Sequence, residues 1–306
     1  MGLTRNTLAH LSVLSANVIF ALNFSVVKSV TPDLIGPFGL NVARALVTTL
    51  LFWLLSFFGK GSWLPDRRDV PRLILCAMTG VVLNQLLFIK GLSLTHSTHA
   101  SLLVLSTPIV ITFVAFLLLK EPVGWIRAVG LLLGISGAAL LVWEGGRSRE
   151  GSDIVTGNIL VLLNAIFYSF YFVFVKPLMQ RYSPMQIIRW MFTLGSLVII
   201  PAGWVEFTQA DWSSFTGAQL GAVAFVVLGA TFLAYVFNIH GLRHLNASSV
   251  GSYIYLQPLI AAGVAVLFLD ESFTPLKILS ALLIFAGVFL VNRRQSHSAE
   301  ATHGEG

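Results

Sequence analysis

Ten long apolar stretches, separated by short polar segments, make up most of the chain. None of them alternates apolar and polar residues in the way that the strands of a membrane barrel do. Most are close to the length of about 20 residues that an α-helix needs to cross a bilayer. The pattern therefore predicts ten transmembrane helices, with these approximate bounds: Leu11 to Val27, Leu34 to Phe58, Leu73 to Ile89, Ser97 to Leu119, Pro122 to Trp143, Gly157 to Val175, Met185 to Val205, Ala218 to Phe237, Ala247 to Leu269 and Pro275 to Val291.

The composition also indicates a membrane protein. Hydrophobic residues make up 56% of the 306 residues and charged residues only 10%, whereas soluble domains carry roughly 25% charged residues. This excludes an ordinary cytosolic enzyme, a disordered chain and a small secreted module. The net charge of +6 is scattered over the loops and forms no basic face of the kind that binds nucleic acid. We expect a lipid bilayer and a small-molecule substrate as partners, and no nucleic acid.

Lysine and arginine residues predict the orientation, because cytoplasmic loops carry an excess of positive charge. With the N-terminus inside, the two strongest clusters, Arg67-Arg68-Arg72 and Arg293-Arg294, both lie on the cytoplasmic side. We therefore expect a multi-pass protein of the cell (inner) membrane with both termini in the cytoplasm. The first apolar run contains two asparagines and is followed by nine similar runs, so we interpret it as a span and not as a signal peptide.

The second half of the chain repeats the first. At a shift of 150 residues Pro108 falls on Pro258 and Glu121 falls on Glu271, and the earlier helices match at a shift of 147. Each repeat holds five helices, an odd number, so the second repeat enters the membrane inverted relative to the first. Inverted repeats are a common transporter architecture. The predicted division is 1–146 for the first five-helix repeat, 147–155 for a polar linker, 156–292 for the second repeat and 293–306 for a disordered cytoplasmic tail.

The repeats also resemble a known family. The endings STPIVITFVAFLLLKEPV with GISGAALLV, and LQPLIAAGVAVLFLDESF with FAGVFLV, are similar to the two EamA-type repeats of the drug/metabolite transporter (DMT) superfamily. The start of the first span, NVIFALNFSVVK, is similar to that family as well. The resemblance extends from about Leu11 to Val291. It implies a ten-helix permease or exporter of the plasma membrane, often for amino acids or related small metabolites.

Polar side chains within the predicted spans indicate where a substrate binds. At membrane depth such groups are costly, and they face the bundle interior or a water-filled cavity. Hydrogen bonding between helices is the alternative explanation for each of them. The residues expected to line the substrate cavity are Asn17, Asn23, Asn41, Arg44, Asn84, Gln85, His99, Tyr168, Tyr171, Trp190, Tyr253 and Gln257.

Arg44 is the most informative of these residues. It lies about ten residues into the second span, which is roughly 15 Å at 1.5 Å per residue. No carboxylate occurs in the interior of any predicted span, so carbonyls, water or a bound anion are its expected partners. We expect Arg44 to attract a substrate carboxylate; snorkelling to the interface with helix packing is the alternative.

Three further features have a candidate role. Pro108 and Pro258 lie at about the middle of the fourth helix of each repeat, where a missing backbone hydrogen bond produces either a hinge beside the cavity or a simple kink. His96 and His99, at the outer start of the fourth helix, are candidate carriers of a coupling proton or polar lining of the vestibule. Glu271 is expected to support the start of the tenth helix, where negative charge is favourable.

The favoured function is secondary transport by alternating access, with export of amino acids or related small metabolites. Broad drug or metabolite export is the alternative. A channel and an integral-membrane enzyme are less favoured, because the repeat lies within one chain and no HExxH, GxSxG or interior carboxylate occurs. We expect no catalytic residue, no cofactor and no metal. The protein is expected to be a monomer or a homodimer. We interpret the small-residue stripe of Gly130, Gly134 and Ala138 as a site of close helix packing, with a dimer face as a further candidate role.

Overall fold

The computed structural model describes residues 5–57, 64–119, 124–146, 151–245, 250, 253–269, 271 and 274–292. Within these ranges the chain is almost entirely helical and contains no strand. We number the helices in chain order, as follows: α1 (Arg5–Val30), α2 (Pro37–Phe57), α3 (Val70–Leu94), α4 (Ser97–Leu105 and Thr107–Leu119), α5 (Trp125–Gly145), α6 (Gly151–Met179), α7 (Pro184–Gln209), α8 (Gly217–Ala224, Phe225–Leu233 and Ala234–His244), α9 (Tyr253–Phe268) and α10 (Pro275–Asn292).

The helices have the length and surface of membrane spans. Among the described residues, nine helices are long and apolar enough to cross a bilayer, and α9 is a shorter apolar helix. Large apolar side chains stay on the outside of the bundle, with Leu132 66% and Leu197 69% exposed. Lipid tails solvate such a surface, whereas water does not. The predicted all-α membrane fold of ten helices is confirmed.

One boundary differs from the sequence prediction. Residues 151–155, assigned to the polar linker, form the start of α6. Asp153 lies in the first turn of that helix, where its negative charge interacts favourably with the helix N-terminus. Residues 147–150 and the predicted tail lie outside the described residues. The bounds of the two repeats stay a prediction.

The helix ends form two faces of the bundle. We call the end at which α1 begins the N-terminal face, and the other end the opposite face. At the N-terminal face, Arg181 forms ion pairs with Asp69 at 2.8 Å and with Asp66 at 3.5 Å. The Tyr182 hydroxyl donates a hydrogen bond to Asp69 at 2.7 Å. These contacts join the segment before α3 to the α6–α7 turn.

Two helices in equivalent places contain π-helical segments. Met78–Val82 in α3 and Phe225–Leu233 in α8 begin 147 residues apart. At the same shift Asn17 matches Asn164. A π-helix carries backbone hydrogen bonds to the fifth residue in place of the fourth, and such segments are frequent at functional sites. The hydropathy pattern gives no signal for them.

α4 is interrupted next to its proline. α4 breaks at Ser106, so Pro108 lies in the first turn of the segment Thr107–Leu119. The Val104 carbonyl, four residues before Pro108, accepts a hydrogen bond from the Thr107 hydroxyl at 2.5 Å. Pro108 therefore begins a helical segment, where a missing N–H is tolerated, and does not kink a continuous helix.

Pro258 has a similar place in α9. A 3₁₀ turn, Tyr253–Tyr255, precedes the segment Leu256–Phe268, and Pro258 lies in the first turn of that segment. Both prolines thus lie near the start of a helical segment. A hinge motion at Pro108 and Pro258 stays a prediction.

α5 and α10 pack with their backbones in close contact. A Cβ atom at Gly130 would lie 2.8 Å from the Gly287 carbonyl oxygen, and one at Gly287 would lie 2.7 Å from the Gly130 carbonyl oxygen. Only glycine allows this approach. Gly130, Gly134 and Ala138 are buried within the chain, so the stripe is not available as a dimer face.

Candidate functional site

Arg44 lies buried in the bundle with no acidic partner among the described residues. Its side chain is only 6% exposed. Nε donates a hydrogen bond to the Thr231 hydroxyl of α8 at 2.8 Å, and Nη1 donates to Asn41 Oδ1 at 3.3 Å. A guanidinium has five N–H donors, and in the described part of the chain Nη2 has no hydrogen-bond partner. A buried charge without a counterion is costly, which makes this position attractive for an anion.

Asn41 connects Arg44 to α3. Its side-chain oxygen accepts from Arg44, and its Nδ2 donates to the Gln85 carbonyl oxygen at 3.3 Å and to the Pro37 carbonyl oxygen at 3.0 Å. Asn41 is fully buried, and its bonds hold the guanidinium next to the backbone of Gln85. The hydroxyl of Thr231 in turn donates to the Val226 carbonyl oxygen, so it is free to accept from Arg44.

Three tyrosines lie next to this polar group. The Tyr168 and Tyr171 rings of α6 stack with centroids 5.5 Å apart. Tyr235 of α8 is close enough to interact electrostatically with Arg44 and with both of these tyrosines. Gly80 makes room for the Tyr171 ring, since a Cβ there would lie 2.7 Å from it. We call these residues the central site; its members are Asn41, Arg44, Gln85, Tyr168, Tyr171, Thr231 and Tyr235.

The two π segments contribute to the central site. Gly80 lies inside the first segment and Thr231 inside the second. Gln85 lies three residues beyond the first segment along α3. The irregular parts of both repeats therefore meet where the buried charge lies.

His99 lies elsewhere, at the opposite face. Its Nδ1 is 3.2 Å from the amide nitrogen of Asn158, and Glu144 Oε2 is 3.0 Å from its Nε2. The carboxylate is within ion-pair distance but is not aligned for a hydrogen bond, so Nε2 has no hydrogen-bond partner among the described residues. Thr95 donates to Asn158 Oδ1 at 2.6 Å. These four residues, Thr95, His99, Glu144 and Asn158, form the His99 cluster and join α3, α4, α5 and α6.

His96 lies just before α4 at the same face. Burial lowers the pKa of His96, the Glu271 carboxylate opposes this shift, and Lys277 and Lys28 add to it. The lowered pKa favours the uncharged imidazole. A role for His96 or His99 in carrying a proton stays a prediction.

Glu271 supports a different helix from the one predicted. Its carboxylate accepts hydrogen bonds from the Ser97 N–H at 2.7 Å, the Thr98 N–H at 3.1 Å and the Thr98 hydroxyl at 2.7 Å. It therefore caps the start of α4, and among the described residues it makes no hydrogen bond to the start of α10. The N-terminus of α4 offers unpaired N–H groups that a carboxylate satisfies. Glu121 lies outside the described residues.

We expect Glu271→Gln to lower the melting temperature of the detergent-solubilised protein. Each hydrogen bond to a charged group contributes about 1.5–3 kcal/mol, and the substitution removes the charge at a helix N-terminus. Asp33→Asn, a charge-neutralising exchange at an exposed position of the same face, is the control and is expected to change little. Equal melting temperatures for the two variants would contradict the capping role.

Four further predicted cavity residues make side-chain contacts between helices, near α1 or at the N-terminal face. Gln257 Nε2 donates to Asn17 Oδ1 at 2.8 Å, which joins α9 to α1. The Tyr253 hydroxyl is 3.0 Å from His10 Nδ1. Trp190 packs edge-on against Trp53 at 5.6 Å. These contacts hold helices together, and substrate contact by these side chains stays a prediction.

Asn23 and Asn84 are nearer the central site. Asn84 is part-buried and precedes Gln85, and its carbonyl oxygen accepts from Asn164 Nδ2 at 2.7 Å. Asn23 is buried in α1.

Thr231 and Tyr235 of the central site were not predicted from the sequence, since a lone threonine and a lone tyrosine in an apolar helix carry no distinguishing signal.

A ten-helix bundle with a buried arginine that has no acidic partner in the described ranges has the construction of a polytopic membrane transporter. The chain belongs to the EamA-like transporter family, whose model matches residues 7–143 and 155–293. Both matched stretches contain residues of the central site. The resemblance noted from the sequence is thereby confirmed.

Relatives and a solved structure agree with this assignment. The chain is 29% identical over 262 residues to a probable terminal-alkyne amino-acid exporter of Streptantibioticus cattleyicolor, covering 85% of each chain. It is 25% identical to an uncharacterized transporter of Archaeoglobus fulgidus, covering 95% of this chain and 99% of the relative. A crystal structure at 17% identity has the same fold, with a TM-score of 0.63 over 93% of this chain and 96% of the other.

Proposed function

We propose that this transporter exports amino acids or closely related small metabolites by alternating access. The observation that carries the proposal is the buried Arg44 guanidinium, which has no carboxylate partner in the described part of the chain. The charge of a substrate carboxylate would compensate it, and a bidentate pair would use the free Nη2. The similarity to a probable terminal-alkyne amino-acid exporter supports the same substrate class.

The matching construction of the halves supports alternating access. Pro108 in α4 and Pro258 in α9 both lie in the first turn of a helical segment, and α3 and α8 carry equivalent π segments. Two similar halves in opposite orientation give two open states of similar energy. We propose that the N-terminal face is cytoplasmic, on the charge asymmetry of the loops, and that the protein lies in the inner membrane.

Broad drug or metabolite export is the second candidate. The stacked Tyr168 and Tyr171 rings favour it, because aromatic faces also bind flat or cationic compounds. Such substrates gain nothing from Arg44, whereas a carboxylate does. Competition by cationic dyes therefore distinguishes the two candidates.

Counterflow in proteoliposomes tests the proposal. Vesicles loaded with a pool of unlabelled amino acids are expected to accumulate a labelled amino acid transiently, and protein-free vesicles are not. Exchange of one class of amino acids identifies the substrate. Exchange of cationic dyes without any amino acid, by protein shown to be folded, would overturn the proposal in favour of the second candidate.

A further inference from the structure

Two buried amide side chains near the central site lack hydrogen-bond partners. Gln85 is 2% exposed, and neither its Nε2 nor its Oε1 makes a hydrogen bond with any described residue. Asn23 is 5% exposed, and its Oδ1 is equally unpaired within the described ranges. Buried amides are normally hydrogen-bonded, because leaving one unpaired is costly. Gln257 and Asn17 show the usual arrangement, as they bond to each other.

The Gln85 backbone lies close to Arg44. Asn41 binds both the Arg44 guanidinium and the Gln85 carbonyl oxygen, so one side chain joins them. Gln85 lies three residues beyond the α3 π segment, which contains Gly80 beside the Tyr171 ring. The same stretch of α3 therefore carries Gln85 and contacts both the cation and the aromatic part of the central site.

Asn23 lies on α1, which packs against α3 beside Gln85. The neighbouring Phe24 packs edge-on against Phe88, one turn beyond Gln85, with ring centroids 5.6 Å apart. At 1.5 Å per residue, Asn23 and Arg44 lie about 10 Å from the opposite-face ends of α1 and α2, and Gln85 about 14 Å from that end of α3. The three residues are thus at similar depth, and α3 contacts both α1 and α2.

We propose that the amides of Gln85 and Asn23 bind the ammonium group of a zwitterionic α-amino acid whose carboxylate lies on Arg44. This inference rests on the proposed function and narrows its substrate class. An ammonium has three N–H donors and no acceptor, and amide oxygens accept from it. A carboxylate side chain in place of the Gln85 or Asn23 amide would form an internal ion pair with Arg44. The Arg44 guanidinium would then no longer be available to a substrate carboxylate. Neutral amides recognise the ammonium and leave Arg44 for the substrate.

With this arrangement, the transporter requires a substrate that carries a free amino group. The 2-oxo acid of the same side chain keeps the carboxylate but lacks the ammonium. The N-acetyl amino acid replaces the ammonium with a neutral, bulkier amide. We expect wild-type protein to exchange the amino acid at a half-saturation concentration roughly 10- to 100-fold lower than that of either analogue, the range for one lost hydrogen bond to a charged group.

The variant Gln85→Leu distinguishes a role of Gln85 in substrate recognition from a role in folding. It is expected to raise the half-saturation concentration of the amino acid by roughly 10- to 100-fold and to leave that of the 2-oxo acid unchanged. Asn23→Leu is expected to act in the same direction. Because Leu removes an unpaired buried amide, the melting temperature of Gln85→Leu is expected to equal or exceed that of wild type. Gln209→Leu, the same exchange at an exposed position at the end of α7, is the matched control.

The outcomes separate this inference from the proposed function. Equal exchange of the amino acid, the 2-oxo acid and the N-acetyl derivative by wild type overturns the ammonium site but keeps a carboxylate transporter. An equal loss of amino acid and 2-oxo acid in Gln85→Leu, with a lower melting temperature, also overturns it and makes Gln85 structural. Failure of every carboxylate compound to exchange overturns the proposed function itself, and the ammonium site with it.

Discussion

Arg44→Gln is expected to raise the half-saturation concentration for a carboxylate substrate by roughly 10- to 100-fold. Hydrogen bonds to charged groups contribute about 1.5–3 kcal/mol, and every 1.4 kcal/mol is about tenfold in affinity. Glutamine keeps a polar side chain near Asn41 and Thr231 but removes the charge and the free Nη2. Concentration-dependent counterflow of the labelled amino acid measures the change.

Two further variants test whether the effect of Arg44→Gln comes from the loss of a guanidinium–carboxylate contact. Arg44→Lys keeps the charge but loses the planar fork that binds a carboxylate with two hydrogen bonds, so an intermediate loss is expected. Arg189→Gln removes another buried arginine, whose guanidinium lies 4.7 Å from the centroid of the Trp53 ring. It is expected to alter stability without changing the half-saturation concentration. A wild-type value for Arg44→Gln would exclude a carboxylate contact at this residue.

Gly130→Ala and Gly287→Ala are each expected to destabilise the bundle strongly. Each Cβ would lie 2.8 Å or less from a backbone carbonyl oxygen of the opposing helix, and neither backbone can move away without separating α5 from α10. Overpacking of this kind costs about 1–3 kcal/mol. Thermal unfolding in detergent, followed by loss of monodisperse protein, measures the effect.

Gly263→Ala is the matched control, because a Cβ there meets none of the described residues within 4 Å. Alanine is favoured over glycine inside a helix by roughly 0.5–1 kcal/mol, so Gly263→Ala is expected to be neutral or stabilising. If Gly130→Ala melts at the same temperature as Gly263→Ala, the close α5–α10 contact is wrong.

Hydropathy was sufficient to predict the helices, because a span is a local property of about 20 consecutive residues. Polarity at depth likewise identified Arg44 and Gln85, since such residues are rare in apolar runs. The partners of these residues were not predictable in this way. The bond from Arg44 to Thr231 joins residues 187 positions apart, and the bond from Glu271 to Ser97 joins residues 174 apart. Only the packing of the helices decides such pairs.

The prolines and the histidine show the same limit. A proline in an apolar run is compatible with a kink or with the first turn of a new segment, and the break at Ser106 selects the second. His99 is polar and lies within a predicted span, so sequence reasoning grouped it with the cavity. The structure places it beside Glu144 and Asn158 at the opposite face, because α4 begins only two residues before it.

Under the alternating-access proposal, the π segments would give the transporter a means of changing which side chains face the ligand. Each holds a surplus residue relative to an α-helix, and rewinding one as α would rotate the rest of that helix by about 100° and lengthen it by about 1.5 Å. Gln85 lies three residues beyond the first segment, so this rotation would change the direction of its side chain relative to Arg44. In α8 the same change would move Thr231 relative to the guanidinium. Ligand release would then begin with the twist and extension of one part of a helix, without a rigid displacement of the whole helix.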